Sequence, residues 1–264
     1  MYADSQRLSA YNHITYPRAP QARAITSIPE EEEIPLEEQQ RSQHTQSVEH
    51  IGIMGGTFDP IHNAHLAVAE EVRVALNLSY ILFIPTGQPP HKRTHHLTPA
   101  QHRLAMVERA IASNPFFACS RIEVDWAGPS YTTDTLKRLR EQLGSRACFY
   151  FIIGWDSLLD LHKWHDPEGI LAQLTALVAV GRPGYSASGA LGNPFDQDNL
   201  DNTEYNTKLE ERLPGITRRL RLVQAPMLEI SSTDLRQRVA QGRPIRYQMP
   251  DAVTEYIREH HLYQ

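Results

Sequence analysis

The sequence predicts an α/β fold with a doubly wound, mostly parallel sheet and helices on both faces. From Glu49 onward, short apolar runs rich in Val, Ile, Phe and Tyr alternate with amphipathic stretches at helical spacing. Most of these runs lack a polar and apolar alternation, as expected of strands that are covered on both faces. Repeated alternation of strands and helices implies parallel strands joined by right-handed crossovers.

The elements follow from the same patterns. The predicted strands span residues 50–54, 80–85, 116–124, 148–153, 175–180 and 221–224. A first helix is indicated by a mainly apolar stripe of Leu66, Ala69, Val72, Arg73 and Leu76. The segment Thr98-Pro99-Ala100-Gln101 predicts a capping box, with proline at the first helical position of a second helix. A third helix carries Leu136, Leu139 and Leu143 and is expected to end at Gly144.

Charge and composition divide the chain at about residue 48. Residues 1–48 hold seven acidic side chains and four arginines, and they are rich in Gln, Ser, Pro and Glu. We expect them to be a disordered polar and acidic N-terminal extension, because they cannot bury enough apolar area to offset ordering entropy. Residues 49–264 form the predicted domain, within which the polar stretch 184–211 is predicted to be a mobile insertion.

Several classes of protein are excluded by the composition. The domain carries only about −2 of the total formal charge of −5, so no broad positive field favours nucleic acid. No apolar run is long enough to cross a bilayer, and no signal peptide is evident, which predicts a cytoplasmic protein without a membrane partner. Cys119 and Cys148 are expected to be reduced core residues. The sequence leaves a homo-oligomer open.

The most informative stretch is GIMGGTFDPIHNAHL, residues 52–66, which leaves the first strand and enters the first helix. Gly55 and Gly56 remove side chains where backbone can approach a ligand, and N–H groups near a helix start bind anions. The dinucleotide pattern GxGxxG is absent. His62 and His65, three apart, are expected to project from one face of the helix. Metal binding would need a third ligand, so we interpret them as paired hydrogen-bond donors to phosphate.

These residues carry a resemblance. GGTFDPIHNAH resembles the glycine-rich and HxGH signature of the nucleotidyltransferase superfamily, with Ala64 in the place of the glycine. Within that superfamily the chain is similar to the bacterial nicotinate-nucleotide adenylyltransferases over about residues 50–264. The supporting motifs occur in the family's order: PTGQPPHK (85–92), PSYTTDTL (129–136), FIIGWDSLLDLHKW (151–164), VGRPGY (180–185), EISSTDLRQRV (229–239) and YIREHHLY (256–263). The resemblance implies a Rossmann-like fold.

The resemblance and the residue chemistry together assign the site. Ser231, Ser232 and Thr233 can cap a helix over residues 235–241, and Arg236, one turn in, is a cationic fork suited to phosphate. The predicted catalytic residues are His62, His65 and Arg236. The predicted ATP-binding residues are Gly55, Gly56, Thr57, Phe58, Lys92, Ser232 and Thr233. The predicted mononucleotide-binding residues are Thr86, Tyr131, Gly154, Asp156, Trp164 and Arg182. Trp155 departs from the family pattern and is expected to narrow the pocket on the side where nicotinate binds.

The implied reaction joins ATP and nicotinate mononucleotide into nicotinate adenine dinucleotide and pyrophosphate, in NAD biosynthesis. Magnesium is expected to arrive with ATP, and we predict no protein ligand for it. Three alternatives stay open. One is a related adenylyltransferase that uses nicotinamide mononucleotide, phosphopantetheine or FMN. Another is a fragment of an aminoacyl-tRNA synthetase, which the lack of a KMSKS-like loop disfavours. The third is a nucleotide-sensing protein without turnover.

Overall fold

The fold is organised around one parallel sheet. A computed structural model describes residues 48–89, 97–181, 203–226 and 228–264, apart from the side chains of residues 203 and 204. The strands in these ranges are β1 (Glu49–Gly56), β2 (Tyr80–Pro85), β3 (Phe117–Cys119), β4 (Ala147–Gly154), β5 (Ala176–Gly181) and β6 (Leu220–Gln224). They lie in the order β3-β2-β1-β4-β5-β6, and each neighbouring pair is parallel. The predicted doubly wound class is therefore confirmed.

Helices connect the strands. In chain order they are α1 (Asn63–Ala75), α2 (Ala100–Ile111), α3 (Thr132–Leu143), α4 (Trp155–Asp160), α5 (Pro167–Gln173), α6 (Thr203–Arg212), α7 (Ile216–Arg219), α8 (Ser232–Ala240) and α9 (Asp251–Glu259), with a 3₁₀ turn at Leu161–Lys163. The predicted end of α3 is confirmed, since Gly144 follows it with a φ of 77°, a conformation in which glycine is least strained. Among the described residues, no helix is long and apolar enough to span a bilayer.

Two hydrophobic clusters cover the two faces of the sheet. Along β1, Ile51 and Ile53 belong to one cluster and Met54 belongs to the other, because successive side chains of a strand point to opposite faces. The cluster with Ile51 and Ile53 also takes in Phe151 of β4, and the cluster with Met54 takes in Ile152. Complete burial of each large apolar side chain stabilises the fold by about 1.5–3 kcal/mol. Both faces are buried, which explains why the central strands show little polar alternation.

The predicted strand 116–124 is wrong in length. Only Phe117–Cys119 pairs with β2, at the edge of the sheet. Beyond it, the Ser120 hydroxyl accepts a hydrogen bond from the N–H of Ile122 at 3.3 Å, and Arg121 pairs with Asp125 at 3.0 Å. These local bonds close a turn that carries the chain away from the sheet. The Ile122 and Val124 side chains resemble a strand in composition but not in backbone.

The predicted capping box at α2 is also wrong. Pro99, not Thr98, precedes the first helical residue, and no described side chain caps this end. The backbone of Thr98 is engaged elsewhere: its N–H donates to Asp59 Oδ2 at 3.3 Å and its carbonyl accepts from Arg103 Nε at 2.8 Å. These two contacts hold the Thr98 backbone, and Thr98 therefore does not cap the helix.

The predicted domain limits are described only in part. Of the predicted extension 1–48, residues 1–47 lie outside the described residues, and Val48 is exposed. Of the predicted insertion 184–211, residues 184–202 lie outside them as well. Residues 203–211 belong to α6, whose Tyr205 and Leu209 are buried. The extension and the mobility of the insertion stay predictions.

Candidate active site

A cleft lies at the carboxyl ends of β1 and β4, which are neighbours at the centre of the sheet. From β1 the chain continues outward to β2 and β3, and from β4 it continues outward in the opposite direction to β5 and β6. In doubly wound sheets this is the position where ligands bind, since the connections diverge there and leave a crevice. The cleft has a volume of about 460 Å³. Its walls come from the ends of β1, β4 and β5, the start of α1 and the segment that leads into α8.

The glycine turn, residues 55–60, lines the cleft beyond the end of β1. Gly55 has open space in front of it, since among the described residues a Cβ at this position would meet only the Phe151 ring, at 3.8 Å. At Gly56 a Cβ would lie 3.0 Å from the Phe58 ring. Phe58 has a φ of 49°, in the left-handed region that glycine favours, and its side chain is buried. The turn is thus open at Gly55 and tightly packed at Gly56 and Phe58.

The two histidines of the predicted site lie together at the start of α1. His62 is the residue before the helix, and its side chain is 5% exposed. The rings of His62 and His65 are stacked, with centroids 3.8 Å apart and planes at 25°. Phe58 packs edge-on against His65 at 5.1 Å. Both histidines line the cleft, as the spacing predicts.

The protonation of His65 follows from its surroundings. Its Nδ1 accepts a hydrogen bond from the backbone N–H of His62 at 3.2 Å. Burial, assisted by the neighbouring His62, lowers the pKa of His65 from 6.5 to about 3, so the ring is neutral at physiological pH. A neutral ring whose Nδ1 is an acceptor carries its proton on Nε2. His65 can therefore offer a fixed N–H donor without placing a positive charge in the cleft.

The start of α8 is bonded to the glycine turn. The Ser231 hydroxyl accepts from the N–H of Asp234 at 3.1 Å, which confirms the predicted cap, and the Ser232 hydroxyl donates to the carbonyl of Pro60 at 2.9 Å. Arg236 Nη1 donates to the carbonyl of Asp59 at 2.7 Å, and its Nη2 donates to the Thr233 hydroxyl at 3.3 Å. Ser231 and Ser232 line the cleft, whereas Thr233 and Arg236 do not.

The predicted mononucleotide residues divide into two groups. Gly154 and Trp164 line the cleft on the β4 side, and Trp164 packs edge-on against Phe151 with centroids 6.3 Å apart. Thr86, Tyr131 and Asp156 do not line it: the Thr86 N–H donates to the Gly56 carbonyl at 2.8 Å, Tyr131 packs on His165, and Asp156 is exposed in the first turn of α4.

The remaining predicted residues lie away from the cleft or outside the described residues. Thr57 does not line the cleft; its carbonyl accepts from Arg103 Nη1 at 2.7 Å. Lys92 and Arg182 fall outside the described residues. Every individual binding or catalytic role stays a prediction.

The expectation that Trp155 narrows the nicotinate side is wrong. Trp155 is 7% exposed and does not line the cleft; it belongs to the cluster that contains Ile51 and Ile53, where its ring stacks on Tyr205 at 5.2 Å. The strand ends at Gly154, and the helix that begins immediately afterwards turns Trp155 into the core. Its partner, on α6, is far away in the sequence, which is why the motif alone did not reveal this position.

Sequence reasoning missed two buried charged residues at the glycine turn, Arg103 and Asp59. Arg103 is 1% exposed, and it donates to the carbonyls of Thr57 and Gly87 at 2.7 and 3.2 Å as well as to that of Thr98. Asp59 is 4% exposed, and its Oδ1 accepts from the Tyr263 hydroxyl at 2.6 Å. One signal was available: Arg103 occupies the apolar stripe of α2 with Val107 and Ala110, where a cation requires buried partners.

The described residues contain no group of three or more His, Cys, Asp or Glu side chains that could hold a metal ion. The described side chains that line the cleft include no carboxylate. The chemistry of this wall is that of N–H and O–H donors, which suits anionic oxygens rather than a bare divalent cation.

Comparisons with known proteins agree with this geometry. The cytidylyltransferase-like family model matches residues 53–238. A probable nicotinate-nucleotide adenylyltransferase of Roseiflexus sp. (strain RS-1) is 51% identical over 214 residues, which are 81% of this chain and 98% of the relative. A protein of the same description from Thermomicrobium roseum is 45% identical, over 81% of this chain and 91% of the relative.

Solved structures agree with the fold. The Plasmodium falciparum nicotinic acid mononucleotide adenylyltransferase complexed with NaAD superimposes with a TM-score of 0.62 at 21% identity, over 81% of this chain and 97% of that chain. The same protein complexed with APC gives a TM-score of 0.59. The relatives confirm the predicted resemblance to the bacterial nicotinate-nucleotide adenylyltransferases, and the solved structures confirm the fold.

Proposed function

Because the chain belongs to the cytidylyltransferase-like family, and within it to the nicotinate-nucleotide adenylyltransferases, we propose that it transfers AMP from ATP to nicotinate mononucleotide. The products are nicotinate adenine dinucleotide and pyrophosphate. The observation that carries the proposal is that the stacked rings of His62 and His65 line the same cleft as Trp164, the histidines at the start of α1 and Trp164 on the β4 side. One side offers donors for a triphosphate and the other offers an aromatic surface for a pyridine ring.

The reaction does not require a general base. The attacking group is a phosphate oxygen of the mononucleotide, and phosphate monoesters with a second pKa near ~6 are already ionised at neutral pH. That oxygen attacks the α-phosphorus of ATP, the bond from this phosphorus to the bridging oxygen breaks, and pyrophosphate leaves with the electron pair. The difficulty is electrostatic, because two anions must meet and negative charge develops on the leaving group.

We assign the relief of this charge to the donors at the starts of α1 and α8. His65 Nε2 is a preorganised N–H donor whose orientation is fixed by the bond to its Nδ1. Gly55, Gly56 and Ser232 let the triphosphate approach the backbone and hydroxyl groups of the wall. The proposed ATP side of the site is completed by five further residues: Arg236, Lys92, Thr57, Phe58 and Thr233. Holding the two nucleotides in line contributes up to roughly 7–11 kcal/mol.

Magnesium enters as part of the nucleotide substrate. No carboxylate is present among the described side chains that line the cleft, so the ion would be held by the phosphate oxygens and water. We assign the pyridine ring to Trp164, with the ribose and phosphate near Gly154, Asp156, Thr86, Tyr131 and Arg182. The cytoplasmic location and the oligomeric state stay open predictions of the sequence.

A side-by-side assay of acceptors tests the proposal. Pyrophosphate release from ATP is measured with nicotinate mononucleotide, nicotinamide mononucleotide, phosphopantetheine and FMN. We expect kcat/KM to be highest with nicotinate mononucleotide. A higher value with another acceptor would reassign the substrate, and the lack of pyrophosphate with all four would leave a binding protein without turnover.

A matched pair of glycine variants locates the two substrates. Gly55→Ala and Gly154→Ala each add one methyl group to the cleft without a clash, since the Cβ meets only Phe151 at 3.8 Å in the first case and no described atom within 4 Å in the second. We expect Gly55→Ala to raise the KM for ATP about 10-fold, and Gly154→Ala to raise the KM for the mononucleotide by a similar factor. Equal effects of both variants on both KM values would contradict the assignment of sides.

A further inference from the structure

A hydrogen bond between Tyr263 and Asp59 joins the segment after α9 to the glycine turn. The Tyr263 hydroxyl donates to Asp59 Oδ1 at 2.6 Å, and the other carboxylate oxygen accepts from the N–H of Thr98 at 3.3 Å. Asp59 is 4% exposed, so this carboxylate is satisfied by the protein rather than by bulk water. Burial and the adjacent carboxylate raise the pKa of Tyr263, which keeps the phenol protonated and therefore a donor.

The backbone around Tyr263 is held in an uncommon conformation. Tyr263 has a φ of 64° and His261 a φ of 50°, both in the left-handed region that non-glycine residues rarely adopt. Such conformations persist where the surrounding contacts outweigh their strain, and they are enriched at functional sites. Here they turn the chain back after α9, and the phenol reaches a residue 204 positions earlier.

The same aspartate is bonded to the predicted phosphate machinery. The Asp59 carbonyl accepts from Arg236 Nη1 at 2.7 Å, and the next carbonyl, that of Pro60, accepts from the Ser232 hydroxyl at 2.9 Å. Asp59 therefore connects two groups: Tyr263 holds its side chain, and its backbone holds the guanidinium of Arg236. A shift of residue 59 as a whole would move the carbonyl on which Arg236 rests.

We propose that Tyr263 is a positioning residue for the transfer reaction, which acts by fixing Asp59 and, through its carbonyl, the guanidinium of Arg236. This inference rests on the proposed function, because it assumes that Arg236 acts on ATP. Tyr263 does not line the cleft, and so it does not touch the substrate. Its effect is expected on the ATP side alone, since Trp164 and Gly154 lie on the β4 side.

The test compares Tyr263→Phe with Tyr256→Phe in the full chain. Each variant removes one hydroxyl group that makes a hydrogen bond, because the Tyr256 hydroxyl lies 2.9 Å from His102 Nδ1, and Tyr256 belongs to α9. We expect Tyr263→Phe to lower kcat/KM for ATP about 10-fold or more and to weaken binding of α,β-methylene-ATP, measured by calorimetry. The KM for nicotinate mononucleotide is expected to stay unchanged. Tyr256→Phe is expected to match the parent chain in all three quantities.

A second pair of variants tests the same bond from the aspartate. Asp59→Asn retains one oxygen that can accept from the phenol but no second acceptor for the Thr98 N–H, and we expect it to lose less kcat/KM for ATP than Asp59→Ala. Asp59→Ala removes the acceptors of both Tyr263 and the Thr98 N–H and is expected to lose at least as much as Tyr263→Phe. In the double variant Tyr263→Phe/Asp59→Ala the loss should not exceed that of Asp59→Ala alone, since the bond to the phenol is already absent in that variant.

Two results would overturn the inference. One is a Tyr263→Phe enzyme with the same ATP parameters as Tyr256→Phe. The other is an equal loss of kcat/KM for ATP in Asp59→Asn and Asp59→Ala. This second result can be obtained even if Tyr263→Phe does not fold. Failure of the proposed function is distinct, because the parent chain itself would then release no pyrophosphate.

Discussion

Replacing His65 by alanine is expected to lower kcat about 10²–10³-fold and to leave the fold intact. Removal of one preorganised donor at a site of developing negative charge has effects of this size. The ring is held by the His62 N–H, stacked on the His62 ring and packed edge-on by Phe58, so its N–H donor has a fixed direction. Steady-state kinetics with saturating ATP and mononucleotide measure the change.

His50→Ala is the matched control. His50 is also partly buried and bonded through Nδ1, to the Tyr150 hydroxyl at 2.9 Å, but it lies at the opposite end of β1. Its loss is expected to leave kcat within about twofold of the parent, as for other changes remote from a site. Equal turnover of the two variants would remove His65 from the catalytic residues.

The pH dependence provides an independent signature of His65. Because its pKa in the folded protein is about 3, the ring is neutral between pH 5 and 9, and it should contribute no limb to the pH profile of kcat in that range. In the unfolded chain the same ring takes up a proton near pH 6.5. The free energy of unfolding should therefore fall as the pH drops from 6.5 toward 3, and His65→Ala should reduce that fall.

Arg103→Met is expected to lower the free energy of unfolding by about 3–5 kcal/mol. Methionine fits the space roughly but donates no hydrogen bond, so the buried carbonyls of Thr57, Gly87 and Thr98 lose their partner. The burial that lowers the pKa of Arg103 is opposed by Asp59, whose carboxylate would lose this favourable charge. Urea denaturation followed by circular dichroism measures the change.

Arg109→Met is the control for this effect. Arg109 lies on the same helix, but it is exposed, and its guanidinium rests over the Tyr256 ring at 4.3 Å. Loss of that contact is expected to change the free energy of unfolding by no more than about 1 kcal/mol. If the two methionine variants unfolded at the same urea concentration, the buried bonds of Arg103 would not be a major source of stability.

The central part of the molecule could be predicted from the sequence because its signals are local. The apolar runs of β1, β4 and β5 are covered on both faces, so composition alone identifies them. The glycine turn and His62 and His65 lie within one short stretch, where spacing determines which side chains meet. The Ser231 cap likewise depends on bonds across only three residues.

The errors arose where distant residues decide the local structure. Thr98 does not cap α2, because Asp59 and Arg103 bind its backbone. The aromatic ring of Trp155 is drawn into the core by Tyr205, 50 positions later. Tyr263 reaches Asp59 across nearly the whole domain. No periodicity encodes such contacts, although a cation on the apolar stripe of α2 is a visible anomaly.

The strand order has a consequence for how such a catalyst can diverge. Connections from β1 lead outward to β2 and β3, and those from β4 lead outward to β5 and β6, so the β4 side of the cleft is encoded by one continuous stretch. Recombination that exchanged residues 147–181 between relatives would transfer Gly154, Asp156 and Trp164 of the proposed mononucleotide side together. The preference for the acceptor could then change, while the residues proposed to bind ATP stayed those of the parent sequence.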